Sequence, residues 1–314
     1  MNHINFKEGV LIFGFPRSGT TLARKTFAKN SNYFVYEIEL QWLVAYFLKF
    51  GKSGIDKIEA WNFLSNHNKF PSNNRWKSLN INKTDFLKYF NEFEQVSIKE
   101  LFRGVMNLIF SNEKDYSNKK LVVKYPQLIE HEEVVRILFE KVLIINMVRD
   151  PRAAVSSHMN RWPSKELNYV TKLYNKSIDK ISDFGNYNLI NIKFEDFISI
   201  SSIIEKELRI FLNDSNFRID NELENETLQF SSNSKGIKQT TKLKGFQKAK
   251  INNFQSDLKL QQIAFIEMEC KKSMNEYNYE FLNTKRNIFF YYSIKIEHFI
   301  ATQKRKLAIF LRKL

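Results

Sequence analysis

Residues 10–22 read VLIFGFPRSGTTL, and this stretch decides the fold. Residues 10–13 have the length and apolar content of a buried parallel strand. Gly14 and Pro16 end that strand, and the residues from Leu22 onward permit a helix. A strand, a glycine-bounded loop and a helix start form an arrangement in which backbone N–H groups converge on an anion. The stretch therefore predicts an α/β fold with a phosphate-binding loop.

This loop differs from the P-loop of nucleoside triphosphatases, which reads G-x-x-x-x-G-K-[ST]. Gly14 and Gly19 have the required spacing, but Thr20 stands where that motif needs its lysine, and the cation lies inside the loop as Arg17. The loop is therefore suited to an anion that is not handled as a magnesium nucleotide. A divergent P-loop kinase is the alternative enzyme. The other alternative is a plain strand–turn–helix that binds no ligand.

A second anion element lies more than a hundred residues downstream. The buried strand predicted over residues 142–148 is followed by Arg149, by an Asp-Pro turn and by a helix start. Ser157 comes eight residues after Arg149. A fixed guanidinium can hold a phosphate through two parallel hydrogen bonds, and the first turns of the helix can present a hydroxyl beside it. The pair therefore predicts a second phosphate contact.

Three further residues lie close to this element, and each has a functional and a structural interpretation. Arg152 and Arg161 either assist the phosphate contact or pair with acids. His158 is expected to be a satisfied helix histidine rather than a catalytic base, because it follows Ser157 inside the predicted helix.

Polar residues also follow two other predicted strands. Glu37 and Glu39 come after the strand over residues 33–36, and Lys124 ends a further strand, two residues before Pro126. The carboxyl ends of parallel strands line the ligand crevice of an open α/β sheet. A carboxylate there is placed to take a proton from an attacking hydroxyl. Solvated surface charges are the alternative for all three side chains.

The sequence FPRSGTTL at 15–22 resembles the 5′-phosphosulfate-binding loop of PAPS-dependent sulfotransferases. It resembles the arginine-type branch, which is similar to tyrosylprotein and carbohydrate sulfotransferases. Arg149 and Ser157 match the 3′-phosphate element of the family, and residues 124–126 match its K-x-P element. The resemblance runs from about residue 9 to residue 282. It implies a P-loop-like three-layer α/β fold, with a central parallel sheet of about five strands flanked by helices.

The resemblance also implies a function, namely transfer of a sulfuryl group from PAPS to an acceptor hydroxyl, with PAP as product and no metal required. Glu37 would be the general base, with Glu39 as the alternative. Lys124 and Arg17 would offset charge on the transferring group. The residues that would bind the donor are Arg17, Ser18, Gly19, Thr20, Thr21, Arg149 and Ser157.

The sequence departs from the family at several points. Phe194 stands where the family has the tyrosine of its Y-E-D-L segment, and Asn278-Tyr279 replaces a Gly-Tyr pair. Glu195 and Asp196 are expected to be charges at a helix N-terminus. A basic loop supplies further candidates for donor contacts, namely Lys235, Lys238 and Lys242.

The positive charge of the chain is concentrated at its end. The net charge is +15, and residues 285–314 carry eight Lys or Arg against the single acid Glu297. Apolar residues recur there at roughly helical spacing, so we expect a basic amphipathic helix that can lie on an anionic membrane surface. Packing on the core and contact between copies are the alternatives. We therefore divide the chain into a sulfotransferase domain, 1–284, and a tail, 285–314.

Length and cysteine content set the remaining expectations. A chain of 314 residues can bury one large α/β core. The single Cys270 excludes an internal disulfide, which favours a cytoplasmic location, with peripheral attachment to the inner face of the membrane as a further expectation. We expect neither a signal peptide nor a spanning helix. The expected acceptor is a carbohydrate or cell-envelope glycan.

A basic module that binds membranes or nucleic acid is the alternative from another class. It would explain the net charge of +15 but would give no reason for two spaced anion motifs. We therefore expect no nucleic-acid partner.

Overall fold

The structure is a computed structural model. It describes residues 8–66, 76, 79–110, 119–219, 251–282 and 288–311, without the side chains of 305, 306 and 308–311. Lys235, Lys238 and Lys242 lie outside the described residues.

The centre of the fold is a five-stranded, all-parallel sheet with the strand order β2-β3-β1-β4-β5. Its strands are β1 (Glu8–Phe13), β2 (Tyr33–Tyr36), β3 (Lys120–Lys124), β4 (Lys141–Val148) and β5 (Asn188–Lys193). Strand β1 occupies the middle, where Val10 lies opposite Val122 on one side and Leu143 on the other. The sheet is flanked by helices, so the predicted P-loop-like α/β fold is confirmed.

The chain forms two compact units, and the first contains most of the sheet. It comprises Met1–Phe13, Thr20–Asn146 and Asp183–Asn191. Its helices are α1 (Thr20–Ala28), α2 (Gln41–Phe50), α3 (Lys57–Ser65), α4 (Lys83–Tyr89), α5 (Ile98–Phe110) and α6 (Glu132–Leu138). Its core is built on β1, whose Val10, Leu11 and Ile12 are fully buried as continuous apolar strand residues.

The second unit comprises Gly14–Gly19, Met147–Ser182 and Ile192–Leu314. Its helices are α7 (Pro151–Arg161), α8 (Leu167–Ile181), α9 (Phe194–Ser199), α10 (Ser201–Leu212), α11 (Phe254–Asp257), α12 (Leu260–Glu269), α13 (Lys271–Glu276) and α14 (Ile288–Leu311). Tyr174, Phe265 and Cys270 are among the residues buried in its core.

The predicted C-terminal helix is present as α14, which belongs to the second unit. None of the helices in the described part of the chain is long and apolar enough to cross a membrane.

Leu11 provides a test of the central strand. It is fully buried in β1, paired with Val123 on one side and Ile144 on the other. Leu11→Ala removes apolar contacts that the neighbouring strands cannot replace, so we expect the free energy of unfolding to fall by about 2–5 kcal/mol. Urea denaturation measures this change.

The control is the same substitution at Leu48 of α2, which is 67% exposed. Leu48→Ala should change the free energy of unfolding by less than about 0.5 kcal/mol. Equal losses in the two variants would contradict the role given to β1.

Candidate active site

The loop between β1 and α1, residues 14–19, is built around two glycines with positive φ. Gly14 has φ +135° and Gly19 has φ +89°, a region that favours glycine. A Cβ atom at Gly14 would lie 2.4 Å from the carbonyl oxygen of Met147. At Gly19 it would lie 2.4 Å from the ring of Phe194. Both positions therefore require glycine, because the backbone of this loop lies directly against Met147 and Phe194.

Arg17, at the tip of the anion loop, also has a positive φ, of 82°. For a residue with a Cβ atom this conformation costs roughly 1–2 kcal/mol, so surrounding contacts must hold it. The Ser18 N–H donates to the carbonyl of Phe15 at 3.0 Å, and Arg149 Nη1 donates to the carbonyl of Arg17 at 2.8 Å. These two hydrogen bonds fix the loop on both sides of the strained residue.

Three of the predicted donor-binding residues come together in the second unit. Arg17 Nε donates to Ser157 Oγ at 3.2 Å, and Arg149 binds the carbonyl of Arg17. Ser18 is fully buried, and its hydroxyl has no hydrogen-bond partner among the described residues. A buried hydroxyl without a partner is unfavourable, so this one is suited to a ligand. Arg17, Arg149 and Ser157 thus form a compact cationic cluster, and Ser18 follows Arg17 directly in the chain.

The roles that the sequence left open for two arginines differ in the structure. Arg152 is buried and forms ion pairs of 2.6 Å with both Asp150 and Glu267. Asp150 also caps α7 by accepting from the Arg152 N–H at 2.8 Å. Arg152 therefore serves the structure of the second unit, because its charge is fully compensated.

Arg161 lies one turn beyond Ser157 on α7. Within the described ranges it forms no ion pair with an acid. The pKa of the Arg17 guanidinium is lowered, first by desolvation and then by the positive charge of Arg161. Arg161 thus extends the cationic cluster.

Arg149 is held by the rings around it. Its guanidinium lies 4.6 Å from the centre of the Phe194 ring, and its carbonyl accepts from Tyr174 Oη at 2.8 Å. Burial lowers the pKa of Arg149, whereas the charge of Glu195 raises it. Phe194, which stands where the family has tyrosine, therefore contributes a cation–π contact in place of a hydroxyl.

Glu195 connects two segments of the second unit, one before α7 and one after α13. It accepts from the Asp150 N–H at 3.1 Å and from Tyr279 Oη at 3.0 Å. Burial raises the pKa of its carboxyl. Tyr279 follows Asn278, which has φ +53° in the left-handed region that asparagine tolerates where the family has glycine. The departure from Gly-Tyr is thus accommodated without loss of the turn.

The other predicted catalytic residues lie in the first unit. Lys124 Nζ forms an ion pair with Glu39, and Gln41 Nε2 donates to the second oxygen of Glu39 at 2.9 Å. The side chains of Lys124 and Glu39 are only 14% and 16% exposed. The side chain of Glu37 is exposed, and its backbone carbonyl accepts from Arg24. The structure therefore brings Lys124 to Glu39 rather than to Glu37.

Two residues of the site neighbourhood were missed by the sequence analysis. Glu267 pairs with an arginine 115 positions away, and no local pattern indicates such a partner. Tyr279 was noted only as a departure from the family, although its hydroxyl binds Glu195 84 positions away. Neither contact has a signal in local sequence.

His158 lies in an aromatic stack beside the cationic cluster. Its ring centre is 5.4 Å from that of Phe15 and 4.4 Å from that of Trp162. The expected helix histidine is present and buried, but its Nδ1 has no hydrogen-bond partner among the described residues. Burial, followed by the charges of Arg17 and Lys165, lowers its pKa to about 4. His158 is therefore neutral at pH 7.

Comparison with known proteins identifies a family for most of this region. A family model described as the sulfotransferase family matches residues 9–201. The match covers more than half of the chain and includes Arg17 to Thr21, Glu37, Glu39, Lys124, Arg149 and Ser157, but not Lys235, Lys238 or Lys242. No curated protein matches the chain in sequence.

Two solved structures share the fold. The sulfotransferase domain from the Synechococcus PCC 7002 olefin synthase matches with a TM-score of 0.59 and 17% identity, over 89% of this chain and 98% of that one. The sulfotransferase domain from the curacin biosynthetic pathway matches with a TM-score of 0.56 and 17% identity, over 88% and 99%. At this identity the likeness establishes the fold alone.

The pKa of His158 predicts a loss of stability in acid. Because its pKa is about 4 in the folded chain against 6.5 ordinarily, the unfolded chain binds a proton first as the pH falls. The free energy of unfolding should therefore decrease from about pH 6.5 towards pH 4, by at most ~1.4 kcal/mol per pH unit. His158→Gln removes this dependence, which urea denaturation at pH 7, 6 and 5 measures.

The control is Leu48→Ala on the exposed side of α2, which removes no ionisable group and should leave the pH dependence unchanged. An unchanged pH dependence in His158→Gln itself would contradict the inference that burial keeps His158 neutral.

Proposed function

Because this chain belongs to the sulfotransferase family, we propose that it transfers a sulfuryl group from PAPS to an acceptor hydroxyl. The observation that carries the proposal is the meeting of Arg17, Arg149 and Ser157. These residues were assigned to two different ends of the donor, and they come from chain segments more than 130 positions apart. The family implies PAPS as donor, and we assign the binding of its two ends to these residues.

The chemistry of the cluster fits such a donor. The anion loop offers backbone N–H groups at positions where a Cβ would collide with neighbouring atoms, and the buried Ser18 hydroxyl adds a polar contact. Two guanidiniums provide the planar donors that phosphate oxygens accept. We assign the 5′-phosphosulfate to Arg17, Ser18, Gly19, Thr20 and Thr21, and the 3′-phosphate to Arg149 and Ser157.

Arg161 is proposed as an additional phosphate contact. It lies on the same face of α7 as Ser157, one turn later, and its charge acts on Arg17. A phosphate between such cations would relieve their mutual repulsion.

PAPS supplies a sulfuryl group whose bond to the 5′-phosphate oxygen breaks as the acceptor oxygen bonds to sulfur, leaving PAP. The chain must then accept the hydroxyl proton and offset the negative charge on the leaving oxygen. We assign the first task to a glutamate, and the second to Lys124 and Arg17.

Glu39 is our preferred general base over Glu37. Its carboxylate is held by Lys124 and Gln41 in a largely buried position, whereas the Glu37 side chain is exposed. A base that is held in one orientation loses less entropy when it acts than one that moves in solvent. Glu37 stays the alternative.

The ion pair between Glu39 and Lys124 also links proton removal to stabilisation of the leaving oxygen. When Glu39 takes the acceptor proton it becomes neutral, so the charge of Lys124 is no longer compensated by it. That positive charge then stabilises the negative charge that develops on the leaving oxygen. Proton removal and leaving-group stabilisation would thus occur together.

The acceptor and the location are proposed from composition. A carbohydrate or cell-envelope glycan is the proposed acceptor, because the basic tail suits a substrate presented at a membrane. The single Cys270 supports a cytoplasmic location, with attachment to the inner face of the membrane. These statements, the lack of a metal requirement and the absence of a nucleic-acid partner stay predictions.

The donor assignment is tested by measuring the binding of PAP calorimetrically. The binding of ADP and of Mg-ATP is measured in the same way for comparison. Arg149→Ala removes a largely buried guanidinium, so we expect the dissociation constant for PAP to rise about 100-fold or more. Ser157→Ala removes one hydroxyl contact and should raise it about 5- to 10-fold.

The control for these variants is Arg103→Ala, which removes a partly exposed arginine of α5 in the first unit. It should bind PAP like the wild type. Since Arg149 also holds the loop, the milder Ser157→Ala keeps the test informative if Arg149→Ala fails to fold. Tight Mg-ATP binding that is indifferent to Arg149 would favour the divergent kinase instead.

The general base is tested by comparing Glu39→Gln with Glu37→Gln. The measurement is PAP release from PAPS in the presence of a panel of sugars, oligosaccharides and phenols. We expect Glu39→Gln to lower the rate 10²–10⁴-fold and Glu37→Gln to lower it less than about threefold. PAP should bind equally well to both variants.

The reverse order of the two rates would identify Glu37 as the base. Equal rates for both variants and the wild type would exclude either glutamate from proton transfer.

A further inference from the structure

Helix α14 is apolar on two faces, and the described residues of the second unit cover one of them. On the inner face Tyr291 and Ile294 pack against the core of this unit. Tyr291 Oη and Lys295 Nζ bind the carboxylate of Glu269 at 2.5 Å and 2.7 Å, and His298 Nδ1 lies 2.9 Å from Glu166. The inner face is therefore docked by both apolar and polar contacts.

The outer face carries a row of exposed apolar side chains, which we call the outer stripe. Its members are between 47% and 86% exposed: Phe289, Tyr292, Ile296, Phe299, Ile300 and Leu307. Their spacing of three, four, three, one and seven residues places them along one side of a helix. The stripe runs over 18 residue steps, from Phe289 to Leu307, and is therefore about 27 Å long.

A row of exposed apolar side chains along one side of a helix indicates an interaction surface, because single exposed apolar residues are usual but aligned rows are not. The inner contacts already fix the helix to its own unit, so the stripe is not needed for folding of that helix. α14 also does not qualify as a membrane-spanning helix.

The net charge of the segment that carries the stripe favours an anionic partner. Residues 285–314 carry eight Lys or Arg and one acid, which gives this segment a net charge of +7. Lys304 on α14 is exposed between Ile300 and Leu307. Apolar and aromatic residues together with many cations are the combination that binds the boundary between headgroups and acyl chains of anionic lipids.

We infer that the outer stripe of α14 lies on the surface of an anionic membrane, with the helix axis parallel to the bilayer. The inner face holds the second unit, while Phe289, Ile296 and Phe299 enter the boundary between headgroups and acyl chains. The enzyme is thereby attached peripherally through a helix that is already folded on its own core.

A second copy of the chain is the less favourable occupant. Packing two outer stripes against each other would bring two segments of +7 within a few ångströms of one another. Such like charges repel at distances shorter than the Debye length of about 8 Å at physiological ionic strength. Anionic lipids instead attract the same cations.

The experiment is flotation of the full-length chain with lipid vesicles. One vesicle type is pure phosphatidylcholine, and the other contains 30% phosphatidylglycerol, about one anionic lipid in three. We expect the wild type to bind the anionic vesicles at least tenfold more tightly than the neutral ones. The stripe variant Phe289→Ser/Ile296→Ser/Phe299→Ser should bind the anionic vesicles at least tenfold less tightly than the wild type.

The matched control removes three apolar residues of similar exposure elsewhere, as Leu48→Ser/Ile203→Ser/Ile210→Ser. It should bind vesicles like the wild type. All three proteins should bind PAP equally, which separates attachment from donor binding and verifies the fold.

Anionic-vesicle binding that survives in the stripe variant would overturn the inference, as would equal binding of the wild type to both vesicle types. A wild-type dimer, seen by light scattering and lost in the stripe variant, would assign the stripe to a second copy instead.

Discussion

The hydrogen bond from the Arg149 guanidinium to the carbonyl of Arg17 is the contact on which the arrangement of the anion loop depends. Arg17 is held at φ +82°, a conformation that its own side chain disfavours. Arg149 can hold it because Phe194 and Tyr174 fix the guanidinium and the backbone of Arg149 in turn. The two anion elements, distant in sequence, therefore form one structural element.

The described cationic side chains of the second unit fall into two groups, those that are paired with carboxylates and those that are not. Arg152 and Lys295 are compensated by carboxylates and hold helices together. Arg17 and Arg161 have no carboxylate partner in the described part of the chain, and each acts on the other as a like charge. Repulsion of this kind lowers stability unless an anion is present. In the described part of the second unit, Arg152 and Lys295 are therefore compensated within the protein, whereas Arg17 and Arg161 are not paired with an acid.

Much of the fold was predictable because its signals are local. The buried strands β1 and β4 are continuous apolar runs, and each is followed by a motif whose spacing fixes the next helix. Arg17, Arg149 and Ser157 could be singled out for the same reason, because each lies in a local motif, and their binding of an anion stays a prediction. The partner of Lys124 was not, because Glu37 and Glu39 have equivalent positions in sequence and only the fold brings Glu39 to the lysine 85 residues away. The pairing of Arg152 with Glu267 is non-local in the same way.

The backbone of Arg17 has a consequence for how this chain would respond to selection. Glycine accepts a positive φ without steric cost, so replacement of Arg17 by glycine would relieve local strain. The same replacement would delete the guanidinium that meets Ser157. Under the proposed role of Arg17 in donor binding, stability and activity are opposed at this single position, and selection for heat resistance alone would favour variants that lack the guanidinium.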